Sequence, residues 1–391
     1  MSAFSKIVVS AAALICSVSL AVAETVKIGI IAPFSGPASV FGESWKAGID
    51  AYQLVHGKTP GGQTIELIFR DLQGPNPAEA KALAQELIIK DKVQYIGGIV
   101  YTPNALAIAP VVEGAKIPTV IFNAATSSIL EKSKYMVRTS YTLPQITVPI
   151  AQFMREQKIE NVVTMVSDYA PGVDAETSFT KTFESSGGKV VEKVRVPLKT
   201  TDFGPFLQRV KGMAPQALFI FFPGGPPSFG VIKAYKDADL KGANIRLFGT
   251  SEADEKDLPT IGETALGLES GMFYSGAHDS NANRTFVDAL QKAAPSVVAN
   301  AAVVEGYDGM AALYRMIDAT RGKADPDGAM AAIKGYSWES PRGPVKIDAE
   351  SRHIVQNVYM RKVEKDATGK LIHKEFKTYE QQPDYGRAGT K

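Results

Sequence analysis

The sequence predicts an α/β protein of two doubly wound lobes joined by a hinge of several crossings. Strand-like and helix-like stretches alternate four times before residue 141, and the same alternation restarts after "YTLPQ". The last part of the chain offers helices and late strands, too few strands for a sheet of its own. Length agrees, since 391 residues exceed what one ordinary core supports.

Residues 1–23 stand apart. Lys6 precedes a small and apolar stretch from Ile7 to Leu20, and "AVA" at Ala21 to Ala23 puts small residues where a signal peptidase needs them. This is a cleavable secretory signal, cut after Ala23, rather than a membrane span. Lipid attachment at Cys16 is the competing expectation, but the residues before it, "ALI", place no small side chain beside the cysteine. Cys16 is the only cysteine, so the processed chain has no thiol chemistry, disulfide or zinc–cysteine site. Basic and acidic residues number 43 and 41, and loss of Lys6 lowers the net charge of +2 by one. Such balance argues against a nucleic-acid partner.

The elements follow in order. "TVKIGIIAPFSGP" reads as a strand closed by Pro33, Ser35 and Gly36, and "FGESWKAGIDAYQLV" as a helix with Trp45, Ile49 and Tyr52 at helical spacing. "IELIFRD" is the second strand. "NPAEAKALAQELIIK" opens with Asn76 as N-cap, Pro77 at the first helical position and Glu79 completing a capping box. "VQYIGGIV", "TPNALAIAPVVEGA" and "IPTVIF" give strand, helix and strand. The second lobe repeats the pattern: a helix in "ITVPIAQFMREQK", then "NVVTMVS", "GVDAETSFTKTFESSGG", "KVVEKVRV", "FGPFLQRVKGM", "ALFIFF", "SFGVIKAYKDA" and "NIRLFGT". The helices "NRTFVDALQKA", "AAVVEGYDGMAALYRMIDA" and "DGAMAAIKGY" and the strands "RGPVKID" and "HIVQNVYMRKVEK" make sense only if the chain returns to the earlier lobes. The division expected is 24–141 plus 277–348 for lobe 1 and 142–276 plus 349–391 for lobe 2, with crossings near Ser140 to Leu143, Tyr274 to His278 and Ile347 to Ser351.

Catalytic patterns are missing. The histidines, His56, His278, His353 and His373, are far apart on segments expected at the surface and fit no metal-ligand spacing. No GxSxG elbow or Walker loop occurs. "GGPPSFG" lacks the lysine and spacing of a phosphate cradle and reads as a shaped loop. "EADEKD" lacks the alternation and central glycine of a calcium loop and reads as solvated charge. No enzyme activity, metal or cofactor is expected.

Two turns at carboxyl ends of neighbouring strands have unusual chemistry, and that edge is where ligands bind in doubly wound sheets. In "IVYTPNAL", Thr102 is placed to cap a helix and Pro103 takes its first position. In "FNAATSS", Ala124 and Ala125 let a ligand approach the backbone and Thr126 adds a hydroxyl and an N–H. Either threonine alone reads as a helix cap. As a pair they suit one carboxylate, bound by hydroxyls and N–H groups without lysine or arginine. Phe41, Tyr101 and Tyr169, in or beside expected turns, supply an apolar wall. No basic residue is expected in the pocket.

With these residues in place the chain resembles the periplasmic leucine/isoleucine/valine-binding family of type I solute-binding proteins. The resemblance rests on "IGIIAPFSGPASVFGESWKAGIDAY", "RDLQGPNPAEAKALAQELI", "YIGGIVYTPNALAIAPVVEGAKIPTVIFNAATS" and "GYDGMAALYRMI". It implies two Rossmann-like lobes closing as a Venus flytrap, with no cofactor. It also implies a carboxylate held at Thr102, Ala124, Ala125 and Thr126, side-chain walls at Phe41 and Tyr169, and Ser35 in the first turn near the ligand. The acid that pairs with an amino group in that family falls near "FGTSEAD", where Glu252 is the candidate and Ser251 aligns about as well. The tyrosine of the family after "ALFIFF" falls on Gly225 or Pro226. Relatives also bind amides or aromatic carboxylates, which need no ammonium partner. The expected function is capture of a small hydrophobic carboxylate in the periplasm by a monomer that delivers it to ABC permease subunits. The alternative is a ligand sensor of the same fold reporting to a regulator or receptor.

Overall fold

In the computed structural model, which describes residues 25–386, the alternation folds into two sheets whose five parallel strands share one order. The expected signal, its cleavage site and Cys16 lie outside the described residues. The first sheet contains β1 (Thr25–Ala32), β2 (Thr64–Asp71), β3 (Tyr95–Gly98), β4 (Thr119–Ile121) and β5 (Met136–Arg138), in the order β2-β1-β3-β4-β5 and all parallel. The helices α1 (Ser39–His56), α2 (Pro77–Ile89) and α3 (Thr102–Ala115) connect them. At the start of α2, the Glu79 N–H donates to Asn76 Oδ1 at 3.3 Å and Asn76 Nδ2 donates to Glu79 Oε2 at 2.9 Å, a side-chain variant of the expected box.

The second sheet carries β6 (Asn161–Ser167), β7 (Lys189–Val196), β8 (Ala217–Phe221), β9 (Arg246–Gly249) and β10 (Glu269–Met272). Their order, β7-β6-β8-β9-β10, repeats that of the first sheet, again parallel. Its helices are α4 (Leu143–Glu156), α5 (Ala170–Ser185), α6 (Gly204–Met213), α7 (Pro226–Asp237) and the single turn α8 (Leu258–Ile261). The chain then returns through α9 (Asn281–Ala293), α10 (Ala301–Thr320) and α11 (Pro326–Ile333); α9 and α10 pack on α1, and α11 on α10. One face of the first sheet, with Ile28, Ile30, Val120 and Phe122, is covered by α1 and α10. The other, with Ile31, Ile96 and Ile121, is covered by α2 and α3.

The last strands are β11 (Ser337–Ser340), β12 (Gly343–Ile347), β13 (Ile354–Lys365) and β14 (Leu371–Gln382), all antiparallel to their neighbours, with β13 against β10. Lys346 pairs with Val355 and Ile347 with Ile354, so the border expected at 348 cuts through a ladder. A hairpin needs a partner strand to satisfy its open edge, and the first residues of β13 provide it.

Two histidines expected at the surface are buried. His353 lies between Arg138 Nη1, 3.0 Å from Nδ1, and Asp384 Oδ2, 3.4 Å from Nε2. His373 contacts the Ala253 carbonyl, and burial, then Arg361, pushes its pKa down to about 3. His373 is buried by its place in β14, and His353, just before β13, by the side chains of Arg138 and Asp384 that close on it.

Candidate functional site

Strand order reverses between β1 and β3 in one sheet and between β6 and β8 in the other, and such switch points are where doubly wound sheets bind ligands. A cavity of about 330 Å³ joins the two. The first lobe lines it with Phe41 from α1, Tyr101 and Thr102 after β3, and Ala125 after β4. The second contributes Tyr169 after β6, Phe221 and Phe222 at the end of β8, and the glycine–proline loop 223–227. Tyr169 and Phe221 are stacked, with ring centroids 6.3 Å apart.

Thr102 does not cap α3 as expected. Tyr101, extended at φ −102° and ψ 136°, occupies the N-cap, so Thr102 is the first helical residue. Its hydroxyl, freed from capping, donates to Thr126 Oγ1 at 3.1 Å, with both residues buried. Thr126 caps the short 3-10 turn Ser127–Lys132 by position alone, also without a side-chain cap bond. Its carbonyl accepts from Arg138 Nη2 at 2.7 Å, which anchors the turn from behind. The two hydroxyls thus meet each other at the sheet edge, with Thr102 in the cavity wall and Thr126 behind it.

Other site residues expected from the sequence stand outside the wall. Ser35 is engaged by Asp71: its hydroxyl donates to Oδ2, and its N–H donates to Oδ1 at 3.2 Å. Ala124 is packed in the core beneath α3. Glu252 is buried and turned into the backbone: Oε1 accepts the Phe222 N–H at 3.0 Å and Oε2 accepts the Thr250 N–H at 2.5 Å. Burial raises its pKa to about 7 against the pull of those N–H groups. A carboxylate so engaged bridges the ends of β8 and β9 and does not face the cavity.

The loop expected to be solvated is largely folded inward. Ser251, Asp254, Lys256 and Asp257 line the cavity, so the pocket contains a basic residue that sequence reasoning did not anticipate. Lys256 Nζ lies 2.6 Å from Asp257 Oδ2 and 6.0 Å from the Phe41 ring centroid on the facing lobe. Asp254 is raised to about 7, chiefly by burial and then by Glu255. The position of the loop after a strand of the second sheet was the signal available for these residues.

Tyr141 and Glu305 were also missed: Tyr141 opens the expected crossing "YTLPQ", and Glu305 directly precedes "GYDGMAALYRMI" on α10. Glu305, on α10, is 2% exposed, and its Oε2 accepts the Trp45 indole N–H at 3.1 Å. Burial holds its carboxyl well above the usual carboxylate range. Close approach of α1 and α10 sets this pair: a Cβ on Gly48 would lie 2.1 Å from the Val303 carbonyl oxygen, and one on Gly306 2.6 Å from that of Trp45.

Residues 25–369 match the periplasmic binding protein family. The solute binding protein of an ABC transporter from Rhodopseudomonas palustris HaA2, solved in complex with p-hydroxybenzoic acid, superposes with a TM-score of 0.91 at 51% identity, over 94% of this chain and 100% of that one. Its counterpart from Rhodopseudomonas palustris BisB5, in complex with 3,4-dihydroxybenzoic acid, gives 0.87 at 42% identity, over 93% and 99%. Leu/Ile/Val-binding protein homolog 6 of Brucella abortus (strain 2308) is 48% identical over 374 residues, 94% of this chain and 95% of that protein. The chain belongs to the periplasmic binding protein family, as a two-lobe solute-binding protein of the leucine/isoleucine/valine-binding type.

Proposed function

We propose that this protein is the periplasmic receptor of an ABC importer and that its solute is an aromatic carboxylate of the benzoate class. The observation that carries this reading is Glu252: the acid aligned with the ammonium partner of the family is engaged by two backbone N–H groups. The cavity wall beside it is aromatic, with Phe41, Tyr101, Tyr169 and Phe221. At about 330 Å³ the cavity sits at the small end of ligand pockets, ~300–1,000 Å³, which suits a single substituted ring. Benzoate-type ligands in the two Rhodopseudomonas proteins support the same reading.

The carboxylate is gripped at Thr102 and Ala125, with Thr126 bracing Thr102 from behind, and lobe closure brings Tyr169 and loop 223–227 over the ring. Export through the signal cleaved after Ala23 and delivery by a monomer to ABC permease subunits complete the cycle. The hinge is assigned to the segments around Ser140 and Tyr274 and to the entry into β13. A second reading, an apolar amino acid, is favoured by Asp254 in the cavity wall as an ammonium partner. Burial that leaves this acid near pH 7 for its titration weakens that role. Calorimetry with benzoate, 4-hydroxybenzoate, leucine and valine decides: tight binding of the benzoates alone is expected, and binding of leucine alone overturns the assignment. A sensor of the same fold would bind the same ligand but leave the ATPase of a reconstituted permease unstimulated.

A further inference from the structure

The cavity wall holds another buried polar group besides Thr102, the carboxyl of Glu305. Thr102 starts α3, which covers one face of the first sheet, whereas Glu305 belongs to α10, which covers the other. The two side chains therefore come to one cavity from helices on opposite faces of the sheet, and aromatic side chains share its lining. Glu305 Oε2 is held by the Trp45 indole at 3.1 Å, and its other oxygen has no hydrogen-bond partner among the described residues. This acid is buried, rigidly placed by helices that touch through Gly48 and Gly306, and incompletely satisfied.

We propose that Glu305 reads a ring hydroxyl, so that the solute is a hydroxybenzoate whose carboxylate lies at Thr102 and whose hydroxyl meets Oε1 of Glu305. This inference rests on the benzoate reading and names its substrate class. A ring hydroxyl both donates and accepts, so it can pair with the open oxygen of Glu305, whose carboxyl burial pushes above the usual carboxylate range, in either protonation state. A second carboxylate on the ring would need a cation, but Lys256 is already paired with Asp257 at 2.6 Å. An unsubstituted ring would cover Oε1 without giving it a partner, a penalty that a site built for a hydroxyl imposes on analogues lacking one.

The test is calorimetry of 4-hydroxybenzoate and benzoate against the wild type and the Glu305→Leu, Glu305→Gln and Lys256→Met variants. The wild type is expected to prefer 4-hydroxybenzoate by about tenfold or more. Glu305→Leu should bring the two affinities within about threefold of each other, and Glu305→Gln should keep much of the preference. If Glu305→Leu does not fold, the comparison of 4-hydroxybenzoate with 4-fluorobenzoate on the wild type reads the same preference. Equal wild-type affinity for these ligands overturns the inference alone, since the benzoate reading would still hold. Loss of the preference in Lys256→Met but not in Glu305→Leu overturns it too, by moving recognition to the facing lobe. Failure of the wild type to bind any benzoate overturns the benzoate reading itself.

Discussion

Arg342 and Asp308 form an ion pair of 2.6 Å with neither side chain exposed. The same guanidinium donates through Nη1 to the Ser140 carbonyl at 3.1 Å and to Gln356 Oε1 at 2.8 Å, and through Nη2 to the Thr139 carbonyl. Its plane also lies 4.4 Å from the Phe273 ring. One cation thus binds the segment leaving the first sheet, the segment leaving the second and the start of β13.

Replacing Arg342 by Met should destabilise the fold by about 3–5 kcal/mol, because Asp308 is left charged and buried without its partner. Lysine should rescue little, since one ammonium cannot reach carbonyls and carboxylate in the same fork geometry. Urea denaturation of both variants checks this, and a loss within the scatter of surface substitutions would remove the pair from the stability of the hinge.

Thr102→Ala removes a hydroxyl that lines the cavity and the partner of Thr126 Oγ1. Binding of the carboxylate solute should weaken by about 1.5–3 kcal/mol, the range of one hydrogen bond to a charged group. Thr126→Ala should weaken binding by less, since its hydroxyl meets Thr102 and does not line the cavity. Calorimetry at fixed pH measures both, and unchanged affinity in the double variant would place the carboxylate elsewhere.

Glu252 makes stability depend on pH. Its carboxyl titrates near 7 in the folded chain against 4.5 when solvated, so the folded state holds the proton more tightly. The contribution is complete below pH 4.5 and is lost as pH rises through 7. Glu252→Gln should therefore flatten the decline in stability over this window, by up to about 1.4 kcal/mol per pH unit. The comparison is one of slopes, because the amide mispairs with two N–H donors and lowers the absolute value. Parallel curves would show that Glu252 titrates elsewhere.

Gly306→Ala forces a methyl against the Trp45 backbone, 2.6 Å from its carbonyl oxygen. The fold should lose about 1–3 kcal/mol through overpacking, and the Trp45–Glu305 hydrogen bond should be displaced. Thermal unfolding reads the first effect, and tryptophan fluorescence compared with the wild type reads the second.

Periodicity made the first lobe legible, helped by a capping signal at α2 alone, because each buried parallel strand is a short apolar run. The three-residue β5, β10 with its central glycine and the polar β14 carry no such signal; pairing with neighbours makes them strands. The threonine pair was readable, since hydroxyls at adjacent strand ends are fixed by topology once the sheet is known. The inward turn of Lys256 and Asp254 was not. A charged loop reads as solvated until the facing lobe covers it, and that covering is a contact between residues far apart in sequence. Glu252 shows the same limit: a carboxylate near a binding edge looks identical in sequence whether it meets a ligand or the ends of two strands.

Because both sheets share one strand order, the cleft is assembled from two copies of the same turn architecture that can vary independently. A change of cargo then needs no new fold and no rebuilding of the carboxylate grip. On the proposed reading, substitution at the one helical position occupied by Glu305 would retune the ring substituent accepted without touching the turns after β3 and β4. Receptors of this plan should diversify one half at a time.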